Sequence, residues 1–443
     1  MQSTDSKRLR IGWHLVWVGL SLALAGCGAG PSTVDSGSVA VRCGQLFDGV
    51  DAALRRQVTV VVRDGRIESV GVAGPPRDLP VLDLPDHTCL PGLLDLHTHL
   101  TDEPANTADF RIYLERDEGE HLRRARHHAE ATLSAGFTTV RDVGTYVSWL
   151  DRTLRDEIRA GKTPGPRMQI AGFYLTIPGG GGDLTVPGVP DTEVPVRLRA
   201  GVARGPEAFR ARAQEAVAGG ADVLKVIASG AVLAFGGVPA APEMTPEEIA
   251  AVVAVAHGAG LRVAAHAHGA QSIREAILAG ADTIEHASLI DEAGMELARE
   301  RGVTLVMDVY NGDYIDTEGR RQGWPAEFLR KNLETTELQR QAFNRAHALG
   351  VPIAFGSDAA VFPHGDNARQ FRIMVERGMS PAEALRAATS VAARAMGWEN
   401  QVGRLAPGLL GDLIAVPGNP LDDVTVLERV TVVVQGGRVV KRP

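Results

Sequence analysis

The sequence predicts an α/β protein: a (β/α)8 TIM barrel with a small β-sandwich domain formed by both chain ends. Three observations lead there. Between residues 91 and 397, eight apolar strand-like segments alternate with helical ones. Outside that span both ends are β-rich, with regular alternation of apolar and polar residues. Polar residues collect at the C-terminal ends of the central strands, where such a barrel keeps its chemistry.

The first 26 residues stand apart. Lys7, Arg8 and Arg10 precede an apolar run over 11–26 that is short for a membrane span and suits an export signal. The run ends in Leu24-Ala25-Gly26-Cys27, which resembles the lipobox of bacterial lipoproteins. That resemblance implies cleavage before Cys27, acylation of its sulfur and amine, and a chain exported and anchored to a bacterial membrane, on the periplasmic side or at the cell surface. Residues 27–38 read as a flexible tether.

Residues 39–90 follow as short strands with a turn at Asp64-Gly65. Residues 398–443 answer them with a second strand pair and a turn at Gly436-Gly437. The two stretches are expected to make one small β domain. An exported chain meets an oxidising compartment, so Cys43 and Cys89 are either a disulfide or two free buried thiols.

The central strands are LLDLH, TTVRDV, RMQIAG, DVLKVIA, RVAAHAH, TIEHA, TLVMDV and PIAFGSD. Helical stretches such as PEEIAAVVAVAHGAG lie between them and end near glycine, as helix C-termini prefer. The 443 residues are 44% hydrophobic, enough for a large core, and the net charge of −8 provides no basic field for nucleic acid.

His97 and His99 close the first central strand. Residues i and i+2 of a strand point to one side, so both imidazoles can hold one ion. His266, His286 and Asp358 end three further strands, and Lys225 interrupts the apolar strand VLKVIA. A buried ammonium tends to lose its proton. The neutral amine can take up carbon dioxide, giving a carbamate (N6-carboxylysine) that would bridge two metal ions. Two divalent ions about 3.5–4 Å apart would share a bridging hydroxide as nucleophile. Asp358 would shuttle its proton to the leaving amine. Histidine and carboxylate ligands suit zinc, with manganese, iron and cobalt as alternatives.

PGLLDLHTHL, Lys225, HAHG at 266–269, IEH at 284–286 and GSDA at 356–359 together resemble the amidohydrolase superfamily. The similarity is strongest to its imidazolonepropionase-like and Xaa-Pro dipeptidase (prolidase-like) branch. It extends through TTVRDVG, HGDNAR and GRLAPGLLGDLIAVPGNPLDD. Carried over by position, the resemblance implies that His97, His99 and Asp358 hold one metal, that His266 and His286 hold the second, and that Lys225 bridges them. His268 would face substrate or support a ligand, and His364 and Tyr174 are weaker substrate candidates on mouth loops. In one place the sequence departs from the branch: the glycine-rich stretch IPGGGGD, 177–183, lacks the histidine often found there. No Gly-Lys-Ser/Thr follows it, so it is not a phosphate loop.

The resulting expectation is a two-metal hydrolase of a carbon–nitrogen bond in a small peptide or N-acyl amino acid. The rivals are a single-metal deaminase or cyclic-amide hydrolase on the same fold, against which Lys225 speaks, and a non-catalytic surface protein. A homo-oligomer is compatible with the sequence.

Overall fold

The computed structural model describes residues 37–443. The expected leader, Cys27 and residues 27–36 of the tether lie outside them. Gly37 and Ser38 are already fastened to the body. The N–H of Gly65 donates to Gly37 O at 2.9 Å, and that of Asp64 to Ser38 Oγ at 3.0 Å.

The chain begins with β1 (Val39–Leu46), β2 (Arg55–Arg63), β3 (Arg66–Gly71) and β4 (Val81–Pro91). Alternation buries Val39, Val41 and Cys43 of β1 against Val58, Val60 and Val62 of β2. Asp64 and Gly65 join β2 to β3 with φ of 50° and 80°. Both angles are positive, as a two-residue hairpin requires and as Asp-Gly supplies at least cost.

The central strands are β5 (Leu93–Thr98), β6 (Phe137–Asp142), β7 (Arg167–Ile170), β8 (Tyr174–Leu175), β9 (Val223–Ile227), β10 (Arg262–Ala267), β11 (Thr283–His286), β12 (Thr304–Val306) and β13 (Ile353–Ala354). They form two parallel arcs, β5-β6-β7 and β8 through β13. β7 falls within the third strand read from the sequence, RMQIAG, and β8 lies beyond its end, past Gly172 at φ of 81°. The arcs adjoin on both sides. Leu96 N–H donates to Phe355 O at 3.0 Å, Asp358 N–H to His97 O at 2.8 Å, and Asp222 N–H to Ile170 O at 2.8 Å.

Helices follow the strands in the expected alternation, among them Glu118–Ser134, Pro246–Gly258, Ala270–Ala279 and Ala326–Ala348. Pro246–Gly258 illustrates why they start where they do. Thr245 and Glu248 form a reciprocal cap, and Pro246 occupies the first turn, where its missing N–H costs nothing. The central strands are buried and mostly apolar, as strands covered on both faces must be.

β14 (Leu413–Pro417), β15 (Val432–Gln435) and β16 (Arg438–Lys441) complete the end domain. Strands from both ends pair as one seven-stranded sheet, β16-β15-β14-β4-β1-β2-β3, where the sequence led us to expect two facing layers. β4 is its hub, parallel to β1 and antiparallel to β14. Cys43 and Cys89 form a disulfide between β1 and β4, with Cα atoms 5.9 Å apart. Among the described residues, no helix is long and apolar enough to cross a membrane.

Candidate metal centre

β5 and the residue just past it deliver His97 and His99 to one side, as strand alternation requires. Each ring is held through Nδ1. That of His97 donates to Glu285 Oε2 at 2.9 Å, and that of His99 to Gly144 O at 2.8 Å. Both Nε2 atoms therefore face Asp358, lying 3.6 Å and 3.5 Å from its Oδ1. Asp358 stands just past β13 at φ of 60°. Backbone in that region costs about 1–3 kcal/mol and persists where neighbours fix it. Here the Asp358 N–H is bound to His97 O, and Oδ2 accepts from Asn311 Nδ2 at 3.2 Å.

The second group is His266, His268 and His286. His266 Nε2 donates to Gly230 O at 3.2 Å, His268 Nδ1 pairs with Ser288 Oγ at 2.8 Å, and His286 Nδ1 donates to Asp308 Oδ1 at 3.0 Å. His268 thus lies with the candidate ligands as well as on the cavity wall. In each of these groups one nitrogen or oxygen per residue lies within 4.8 Å of the others, and a third group joins His286 and Asp358 through Asp308. Burial holds His97, His266 and His268 well below the usual histidine range. Neutral imidazoles with a free lone pair are what a metal needs.

Lys225 projects from β9, 2% exposed, and its Nζ has no hydrogen-bond partner among the described residues. Burial pushes its pKa down to about 8. An orphaned, readily deprotonated amine among histidines and carboxylates fits the donor set of a metal pair bridged by a carbamate. It does not fit a structural ion pair.

Asp358 remains ionised. Burial alone would raise its pKa, but the hydrogen bond with His99 and the surrounding histidines outweigh that and hold it well below the carboxylate range. Its partners Asp308 and Asn311 were not singled out in the sequence. Asp308 nonetheless ends TLVMDV as the other candidates end their strands, so the same rule finds it. Glu285 and Arg141 were also passed over. They form a buried pair at 2.8 Å beneath His97, completed by Thr283. A charged residue inside each of TTVRDV and TIEHA was the available signal.

Above these groups lies a cavity of about 980 Å³ including its open mouth. Tyr174 lines it, with its hydroxyl 3.1 Å from His99 Nδ1. His364 does not line it. Its Nε2 donates to Asp102 O at 2.8 Å, and its ring stacks on His128 at 4.5 Å, so it supports the turn after β5. The glycine run reaches the wall by close approach. A Cβ on Gly181 would lie 2.8 Å from Ala231 Cβ, and one on Gly182 would lie 2.7 Å from Ile227 Cγ1. Gly181 N–H is committed to Glu243 Oε2 at 2.8 Å.

The pattern of the amidohydrolase family matches residues 88–440. The chain belongs to the amidohydrolase family. This amidohydrolase is 31% identical over 372 residues to ochratoxinase of Aspergillus niger, across 80% of this chain and 76% of that one. A Xaa-Pro dipeptidase solved with methionine in its active site superposes at a TM-score of 0.85 and 34% identity, over 91% of this chain and 100% of that one. A prolidase in complex with N-methylphosphonate-L-proline matches at 0.85 and 31%, over 92% and 100%.

Proposed function

We propose that the protein is a two-metal hydrolase of an amide or peptide bond in a small peptide or N-acyl amino acid. The unpartnered buried Lys225 amine between two groups of candidate ligands carries this reading. Resemblance to ochratoxinase and to Xaa-Pro dipeptidases supports the bond type.

His97, His99 and Asp358 would hold one divalent ion and His266 and His286 the other, with His268 beside them. Zinc is the ion best suited to this set. Lys225 Nζ would add to carbon dioxide, lose a proton and become a carbamate shared by both ions. When bound, the ions would acidify a water molecule and polarise the scissile carbonyl.

The chain's own residues do the rest. Asp358 Oδ1 faces the two β5 histidines while Oδ2 is held by Asn311, so one oxygen is positioned to accept a proton and later return it. Water adds to the carbonyl carbon, the C–N bond breaks, and the leaving nitrogen takes the proton from Asp358. A closed (β/α)8 barrel would bring all six groups to one mouth.

We further propose that the mature chain is exported and anchored through lipidated Cys27, where it meets a small-molecule or short-peptide substrate. Metal analysis of the purified protein, with a panel of Xaa-Pro dipeptides and N-acyl amino acids, tests the central reading. We expect two metals per chain and turnover that Asp358→Asn abolishes while much of the metal stays. One metal per chain with deamination in place of amide cleavage would overturn it.

A further inference from the structure

One carboxylate in the cavity has no part in the metal groups. Asp102 lies on the turn after β5, 6% exposed, with its N–H bound to His99 O at 2.9 Å and its carbonyl to His364. Its Oδ1 accepts from Tyr113 O–H at 2.9 Å and from Asn106 Nδ2 at 3.2 Å. Its Oδ2 accepts no hydrogen bond from the described residues, and Asp102 lines the cavity.

Aromatic rings line the same cavity. Tyr113 and Tyr146 pack at 5.0 Å, and Tyr146 and Tyr174 at 5.1 Å. Phe110 closes the set at 6.0 Å from Tyr146. Tyr174 then abuts His99 at 5.8 Å, so this wall runs to the metal groups. A carboxylate oxygen beside several ring faces is the chemistry that recognises an ammonium, by a charge-assisted hydrogen bond and by cation–π attraction. Among the described residues lining the cavity, Lys225 is the one lysine or arginine, and it sits at the metal groups. His99 is the basic group of that wall whose charge acts on Asp102, from the side of the metal groups.

We infer that Asp102 and the tyrosines form an ammonium-recognition site, and that the preferred substrates are amides of aromatic or apolar amino acids whose α-amine is free. This rests on the hydrolase reading above and narrows it. Asp102 and the candidate ligand His99 line one cavity, and the Asp102 N–H bonds to His99 O, so an amine held by Asp102 would lie close to the metal groups, as the α-amine of an amino-terminal residue lies close to the scissile carbonyl. The enzyme would then release amino-terminal residues and would reject the same amides once acylated. The rings accept an aromatic or branched side chain beside the amine.

Two measurements on the metal-loaded, full mature chain test this. The first is calorimetric binding of phenethylamine against 2-phenylethanol, its neutral counterpart. The second is kcat/KM for phenylalanine anilide against its N-acetyl derivative. We expect the amine to bind at least tenfold tighter and the free-amine anilide to be cleaved at least tenfold faster. Asp102→Asn should bring both ratios close to one. The wild-type ratios are decisive by themselves if the variant does not fold. Equal binding of the two probes, or preference for the acetylated anilide, overturns the inference and leaves the hydrolase reading intact. An Asp102-dependent preference for the amine with no cleavage of any amide supports the site and sinks the hydrolase reading.

Discussion

Glu285 is the neighbour of His286 on β11, yet its carboxylate serves His97, 2.9 Å away on β5. Adjacent strand residues normally face opposite sides. Here His286 and Ala287 take φ of 66° and 48°, which turns the end of the strand and brings both side chains to the centre.

A carboxylate behind a ligating histidine fixes its tautomer and raises its basicity, and losing it typically costs 10–100-fold in metal affinity. Glu285→Gln is expected to weaken metal retention by about that factor in a chelator titration. It also strands Arg141 without its counter-charge in a buried site, so the melting temperature should fall as well, reflecting about 3–5 kcal/mol.

Lys225→Ala tests the bridge. At least one metal should be lost, and turnover should fall by about 10²–10³ or more. A short carboxylic acid with excess metal should restore part of it by standing in for the carbamate. Carbon-13 NMR of wild-type protein incubated with labelled bicarbonate should show one carbamate resonance that the variant lacks. Two metals and near-normal turnover in the variant would make the lysine structural.

Glu103 gives a pH signature away from the metals. His128, whose Nε2 lies 3.7 Å away, followed by the hydrogen bonds from Arg116 and Arg124, outweighs burial and lowers its pKa to about 2. A carboxylate whose pKa is depressed on folding stabilises the native state above its unfolded value, near 4.5. That stabilisation is lost as pH falls toward 2. Thermal melts of wild type and Glu103→Gln should therefore differ by about 1–3 kcal/mol at neutral pH and converge between roughly pH 4.5 and 2. A constant gap across that window would show that the charge is not the source.

Reduction of Cys43–Cys89 frees a loop with a sequence separation of 46 residues. The expected loss is about 2–4 kcal/mol, read from denaturant midpoints with and without reductant. Prompt labelling of both thiols in unfolded, unreduced protein would show that the bond is not formed in solution.

Cys27→Ala should move the protein from the membrane fraction to a soluble or unprocessed form. Unchanged fractionation, with no lipid label on the wild type, would remove the anchor from the proposal.

Much of the site was legible because barrels place chemistry at strand ends, and the ligands are residue types that a dry core does not otherwise accept. The candidate ligands His97, His99, His266, His286 and Asp358 lie at or just past strand ends, and Lys225 stands out as a lysine inside an apolar strand. Residues that act through another residue were harder to read. His364 looked like a mouth residue because it sits on a loop, and its backbone-carbonyl partner 262 positions away leaves no sequence mark. Asp102 was not singled out in the sequence. Only the packing of Tyr113, Tyr146 and Tyr174, brought from three separate segments, gives it a setting. The break between β7 and β8 was hidden for a similar reason. RMQIAG reads as one strand with nothing to mark a second piece beyond it, and the kink depends on the dihedral at Gly172.

The position of β4 has a consequence for biosynthesis. Thr88 on β4 bonds to Gly418, 330 residues further along. At roughly 5–20 residues per second, synthesis leaves that edge of β4 without its partner for about 15–60 s. An open strand edge invites pairing with other chains. The barrel strands emerge in order and find neighbours at once, but the sheet beside them waits for the last thirty or so residues. A ribosome that stalls late would therefore release a chain with nearly every candidate ligand in place and an unprotected edge, a natural substrate for chaperones and proteases.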